Sequence, residues 1–159
     1  MLKFNEIKAL YHHQLRDLFN AEMQLIQTLP MITSETSSRS LQEASVNYLK
    51  KTKIHKKRLS RISNNLDIKI EGETCEAIKG LIDETKVSIT ESTSGHDRDS
   101  AIIADAQSMV HYKISCYETA KQFAKGFSGN TNIELIQQAL DEEKEVNQQL
   151  NNIAKRHRS

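Results

Sequence analysis

Three residues able to ligate a metal or move a proton stand on the apolar seams of long helical stretches: Glu22, His55 and Glu143. Each is placed by helical spacing. Glu22 follows Leu18 by four and precedes Leu25 by three. His55 lies on the face that carries Leu41, Ser45, Tyr48, Thr52, Leu59 and Ile62. Glu143 lies on the seam Ile136, Leu140, Glu143, Asn147, Leu150 and Ala154. A carboxylate on a core face is costly unless something satisfies it. Carboxylates and an imidazole converging from several helices suit iron, manganese or zinc. The competing reading needs no metal. A buried Glu facing a buried Lys is an ion pair, and His55 is then a core histidine bonded to a neighbour.

The elements that position these residues are five helices. The first starts after Asn5, an N-cap residue, with Glu6 in its first turn, and carries Tyr11, Leu15, Leu18, Glu22, Leu25 and Leu29. Pro30 is expected to kink or end it near residues 30–34. The second runs from about Ser40 to Asn65, and NNLDIKIEGE connects it onward. The third covers about 73–90, with Ile78, Leu81, Ile82, Val87 and Ile89 apolar. The fourth covers about 99–125, capped by Asp97 or Asp99, on a seam of Ile103, Ala106, Gln107, Val110, Ile114 and Tyr117. GFSGN breaks it, since Gly favours the position just past a helix end. The fifth covers about 131–156, and residues 155–159 form a frayed tail. Two long hairpins joined across by the third helix describe an all-α bundle. Periodicity alone does not choose among the four- and five-helix arrangements.

Composition bounds the function. The 159 residues suit one domain over 1–159. Five Gly and one Pro leave little material for turns, which favours long helices. A net charge of +1 gives no whole-protein field for nucleic acid or membrane. No segment approaches 18 apolar residues, and the N-terminus lacks a signal-peptide apolar run, so a cytoplasmic, soluble protein is expected. Cys75 and Cys116 form no CxxC and are expected as structural free thiols. His12 and His13 are in tandem, not at the four-residue spacing of a helical metal pair, so a surface role is expected. Tyr112 and Tyr117 are expected in the core or an interface.

Several strings resemble the YciE/YciF family of ferritin-like proteins across nearly the whole chain. They are HHQLRDLFNAEMQLIQTLPMI, LQEASVNYLKKTKIHKKRLSRI, CEAIKGLIDET, RDSAIIADAQSMVHYKISCYETA and LDEEKEVNQQLNNIA. The resemblance implies a five-helix ferritin-like fold, a homodimer, a link to stress responses and a dinuclear metal site between the helices. Glu22 and Glu143 match family carboxylates, and His55 falls where the family has Gln or His. Glu84 matches an acidic residue after the GLI motif. Other positions depart from the pattern. A helix 2 Glu stands here as Lys51, an EHYE segment as Val110-His111-Tyr112-Lys113, and a helix 5 Asp as Asn147.

Four acidic positions are thus lost, and two have become cationic. A dinuclear site needs about four carboxylates to balance its ions. Lys at either position repels a metal, and Val110 offers no ligand. The expectation is that the ammonium of Lys51 or Lys113 takes the metal's place between Glu22 and Glu143. The implied protein is a non-catalytic structural or interaction dimer with a degenerate metal site, no catalytic residues and no cofactor. A reduced mononuclear site of Glu22, His55 and Glu143, serving redox or metal handling, is the alternative. A second alternative is DNA binding through the basic band Lys50, Lys51, Lys53, Lys56, Lys57, Arg58 and Arg61. Its competing reading is a solvated face near Glu142 and Glu145.

Overall fold

The computed structural model describes residues 6–127 and 129–158, and every regular element among them is an α-helix. These are α1 (Ile7–Ser34), α2 (Arg39–Leu66), α3 (Glu76–Glu91), α4 (Gly95–Ala124) and α5 (Asn130–Arg158). Hairpin α1–α2 faces hairpin α4–α5, with α1 against α4 and α2 against α5. The crossover helix α3 lies outside this ring, against α4 and α1.

The seams of α1 and α2 are buried as their spacing predicts, including Glu22, Thr52 and His55. Two apolar clusters fill the bundle. One gathers Leu25, Leu29, Leu41, Ile102, Val146 and Leu150. The other gathers Leu15, Leu18, Leu59, Ile62, Ile136 and Leu140. Each long helix passes from one cluster to the other through a single charged residue: Glu22 on α1, His55 on α2, Lys113 on α4 and Glu143 on α5. The core is therefore two apolar layers with a charged layer between them.

Local chemistry sets the helix ends. Asn5 lies outside the described residues, and Glu6 is the N-cap position of α1, with no side-chain cap bond. Helix α1 continues through Pro30 and ends four residues later at Ser34, so the proline precedes the end without breaking the helix on the spot. Ser38 caps α2 by accepting from the Leu41 amide at 3.1 Å. Asp67 closes α2 in the left-handed region at φ 53°. Helix α4 starts earlier than expected, at Gly95, because Ser94 accepts from the Asp97 amide at 3.0 Å.

Asp99, expected as a cap of its own helix, instead serves α2. Its buried carboxylate accepts from the Ser37 and Ser38 amides, each at 2.8 Å. That junction is tight. A Cβ on Gly95 would lie 2.4 Å from Ser37 Oγ.

Two sequence expectations differ at the surface. Val87, which the spacing puts on the apolar side of α3, is 54% exposed, because only one side of α3 meets the bundle. The segment read as a frayed tail is helical to Arg158, where His157 stacks on His96 at 4.0 Å and bonds Ser100 at 2.8 Å. No helix among the described residues is long and apolar enough to cross a membrane.

Candidate functional site

The charged layer gathers the three sequence-predicted residues. Glu22, His55 and Glu143 are each 0% exposed, and one ligand-type atom from each lies within 4.8 Å of the others. Lys113, also 0% exposed, lies among them. Its Nζ is 2.5 Å from Glu22 Oε1 and donates a short hydrogen bond to Glu143 Oε1. It also donates to Tyr48 Oη at 3.1 Å and sits 4.8 Å from that ring's centroid. Lys113 reaches this place because it follows Val110 by three and precedes Tyr117 by four on the buried face of α4. The predicted seam put Ile114 there. The observed face keeps Ile103, Val110 and Tyr117 but takes in Ile102, Met109, Lys113 and Cys116 beside them, leaving Ile114 half-buried.

Two phenols complete the layer. Tyr48 donates to Glu143 Oε2 at 3.1 Å, and Tyr117 donates to Glu22 Oε2 at 2.7 Å. His55 Nδ1 lies 3.3 Å from Glu22 Oε2 and 3.2 Å from Glu143 Oε1. Its Nε2 lies 3.2 Å from Glu142 Oε1. Glu142 also pairs with Arg58 and, at 3.6 Å, with Lys51. Thr52 directs its hydroxyl to the Tyr48 carbonyl at 2.7 Å, outside the charge network.

Electrostatics favours the ionised forms. Burial pushes the Lys113 ammonium toward losing its proton, but Glu143 and Glu22 overcome this and hold it well above the ordinary lysine range. Burial pushes the Glu22 carboxyl up, but the Lys113 charge and the His55 hydrogen bond bring it below its ordinary value. Burial pushes His55 down, but its hydrogen bonds to Glu143 and Glu22 raise it above 6.5. Burial, then the neighbouring carboxylates, pushes both phenols up, so Tyr48 and Tyr117 keep their protons. The two carboxylates thereby face the Lys113 ammonium and an imidazole whose protonation they favour. Charges buried this deeply are tolerable only when they are paired.

These residues do not fit a dinuclear metal centre. The ammonium of Lys113 takes up the carboxylate oxygens that would face the ions, and the position one turn before it is buried, apolar Val110. Of the two lysines considered, Lys113 is the one in the core. Lys51 is half-buried at the rim, 3.6 Å from both Glu142 and Glu145. Asn147 is half-buried, and its Oδ1 has no hydrogen-bond partner. Gln107 pairs with Asn151 at 2.9 Å. Glu84 and His111 are exposed.

The residues that sequence reasoning left out of the network are Tyr48, Tyr117, Arg58 and Glu142. The two tyrosines carried a signal, since Tyr48 shares a predicted seam with His55 and Tyr117 lies on the predicted seam of the fourth helix. Glu142 was legible as an acidic neighbour of the basic band, which Arg58 and Lys51 bear out, but its approach to His55 was not, because it lies beside the seam.

Elsewhere, Cys75 and Cys116 are buried free thiols. Burial pushes both up, Cys116 to about 11. Tyr112 is half-buried, touches Cys75 Sγ at 3.3 Å and donates to Asp17 at 2.6 Å, so it knits α1, α3 and α4 together. His12 and His13 are half-buried, and His13 Nδ1 lies 2.6 Å from Glu73.

The same bundle occurs in known proteins. The chain is 29% identical to Protein YciF of Escherichia coli strain K12 over 154 residues, 96% of this chain and 93% of that protein. The crystal structure of the E. coli stress protein YciF superposes with a TM-score of 0.91 at 31% identity, covering 97% of this chain and 98% of that one. YcfI of Rhodopseudomonas palustris, described as a candidate structural protein, superposes with a TM-score of 0.89 at 30% identity, covering 95% and 98%. A family described as a domain of unknown function, DUF892, matches residues 6–158. With the family match spanning residues 6–158 and the structural superpositions covering nearly the whole chain, the chain belongs to the DUF892 family.

Proposed function

We propose that this protein is a non-catalytic, YciF-type structural or interaction protein, acting as a homodimer in a stress response, in which an internal ion pair replaces a metal centre. One observation carries the reading: the Lys113 ammonium, fully buried, is paired with both Glu22 and Glu143. The pairing of both carboxylates with one ammonium, in a layer whose four charged side chains are 0% exposed, supports the non-catalytic reading. The stress role and the dimer rest on likeness to the E. coli stress protein and on the family resemblance.

Metal content tests this. Protein purified without chelator and reloaded with Fe(II), Mn(II) or Zn(II) is expected to retain less than about 0.1 metal per chain. A second reading is favoured by the close approach of Glu22, His55 and Glu143 donors. It is a mononuclear redox or metal-handling site, formed when the Lys113 side chain withdraws. About one metal per chain, lost in Glu143→Ala, would establish that reading, and about two would refute both.

A further inference from the structure

We infer that the protein self-associates head to tail, the acidic outer face of α3 in one copy seating in the basic groove between α1 and α2 of the next. The inference uses no residue of the charged layer and stands apart from what that layer does.

The groove has Ile26 of α1 beside Lys53, Lys56, Lys57 and Arg61 of α2, and no acidic residue lines it. Lys53, Lys57 and Arg61 recur every four residues, a line of cations about 6 Å apart along one side of the helix. The inward-facing cations of α2 are already engaged, Lys51 with Glu142 and Glu145, and Arg58 with Glu142. Among the described residues, Lys53, Lys57 and Arg61 enter no ion pair. Ile54, next to Lys53, is 43% exposed.

The opposite chemistry lies on α3. Asp83, Glu84 and Val87 form a shallow groove with Asp105 of α4. Val87 is the most exposed large apolar side chain among the described residues. Glu84, Val87 and Glu91 follow three- and four-residue spacing on the outward row of α3, and neither glutamate has an ion-pair partner among the described residues. An apolar centre flanked by one sign of charge thus occurs twice, with opposite signs. The two rows span similar lengths, about 12 Å from position 53 to 61 and about 10.5 Å from 84 to 91.

A net charge of +1 means that these patches are segregated charge, not an overall excess, so a second copy supplies the counterpart to each. In a head-to-tail contact each copy keeps one patch unpaired, so assembly continues as a ring or chain. A phosphate polymer would use the basic groove alone and leave the Val87 face bare.

The test is sedimentation of the full chain across protein concentration at about 20 mM and about 500 mM salt, where screening differs strongly. The expected result is a weight-average mass that rises with concentration at low salt, beyond the high-salt species by about twofold or more. Lys53→Glu/Lys57→Glu should abolish the rise, as should Glu84→Lys/Glu91→Lys. All four positions are exposed, and far-UV circular dichroism checks that both variants fold. Mixing the two variants should restore assembly, because each then offers the other a complementary face. A salt-independent mass, unaffected variants, or no restoration on mixing would each overturn the inference. So would groove-dependent binding of a fluorescent DNA duplex without self-association.

Discussion

Lys113 decides the chemistry of the core because it converts two carboxylates from ligands into ion-pair partners. Removing one partner leaves a buried charge uncompensated. Glu143→Ala is therefore expected to destabilise the fold by about 3–5 kcal/mol, read by urea denaturation. Glu143→Gln combined with Lys113→Met removes both charges and should be far milder. Equal, small losses in the two proteins would show that the pair is not the constraint described here.

The pH dependence follows from the signs. Glu22 lies below its ordinary value of 4.5 in the folded state, so its contribution is present above that value and is lost as pH falls through the folded pKa. His55 lies above 6.5, so its contribution is full below 6.5 and is lost as pH rises through the folded pKa. Together they give a maximum between 4.5 and 6.5, read as the urea midpoint against pH. In His55→Gln the alkaline decline due to this residue should vanish while the acid limb persists.

At the scale of the elements, the junction between the two hairpins rests on a carboxylate that serves another helix. Asp99 belongs to α4, yet it satisfies the amides that open α2. Asp99→Ala leaves those amides without their acceptor at a half-buried turn. A loss of about 1.5–3 kcal/mol is expected, the range for a hydrogen bond to a charged group, with faster amide exchange at Ser37 and Ser38. Uniform exchange across α2 would argue against this local role. The expected cap, Asp97 or Asp99, had the right chemistry for a helix start. Ser94 precedes both and opens α4 first.

At the scale of the whole molecule, two apolar layers are locked in register by the charged layer, since each long helix must bring its one charged residue to the same level. A stabilising ligand raises the melting temperature by binding the folded state alone. If no metal binds the layer, the thermal midpoint should be unchanged by Zn(II), Mn(II) or chelator. Lys113→Glu is the informative contrast, since it replaces the cation with a fourth ligand-type side chain.

Much of this was determined by the sequence itself. Seams at three- and four-residue spacing settled five helices, and Glu22, His55 and Glu143 were legible as buried polar groups because an apolar stripe cannot carry them without a partner. The family strings made the loss of acidic positions visible. Which lysine fills the centre was decided only in the tertiary structure. Lys51 and Lys113 are equally cationic in sequence, but the buried face of α4 takes in Lys113, whereas Lys51 flanks the buried face of α2 and reaches Glu142 and Glu145 at the rim. The closure of the network by Tyr48, Tyr117 and Glu142 is likewise tertiary. Helical periodicity fixes which face a residue takes, whereas the level at which four helices meet is fixed by their packing against one another.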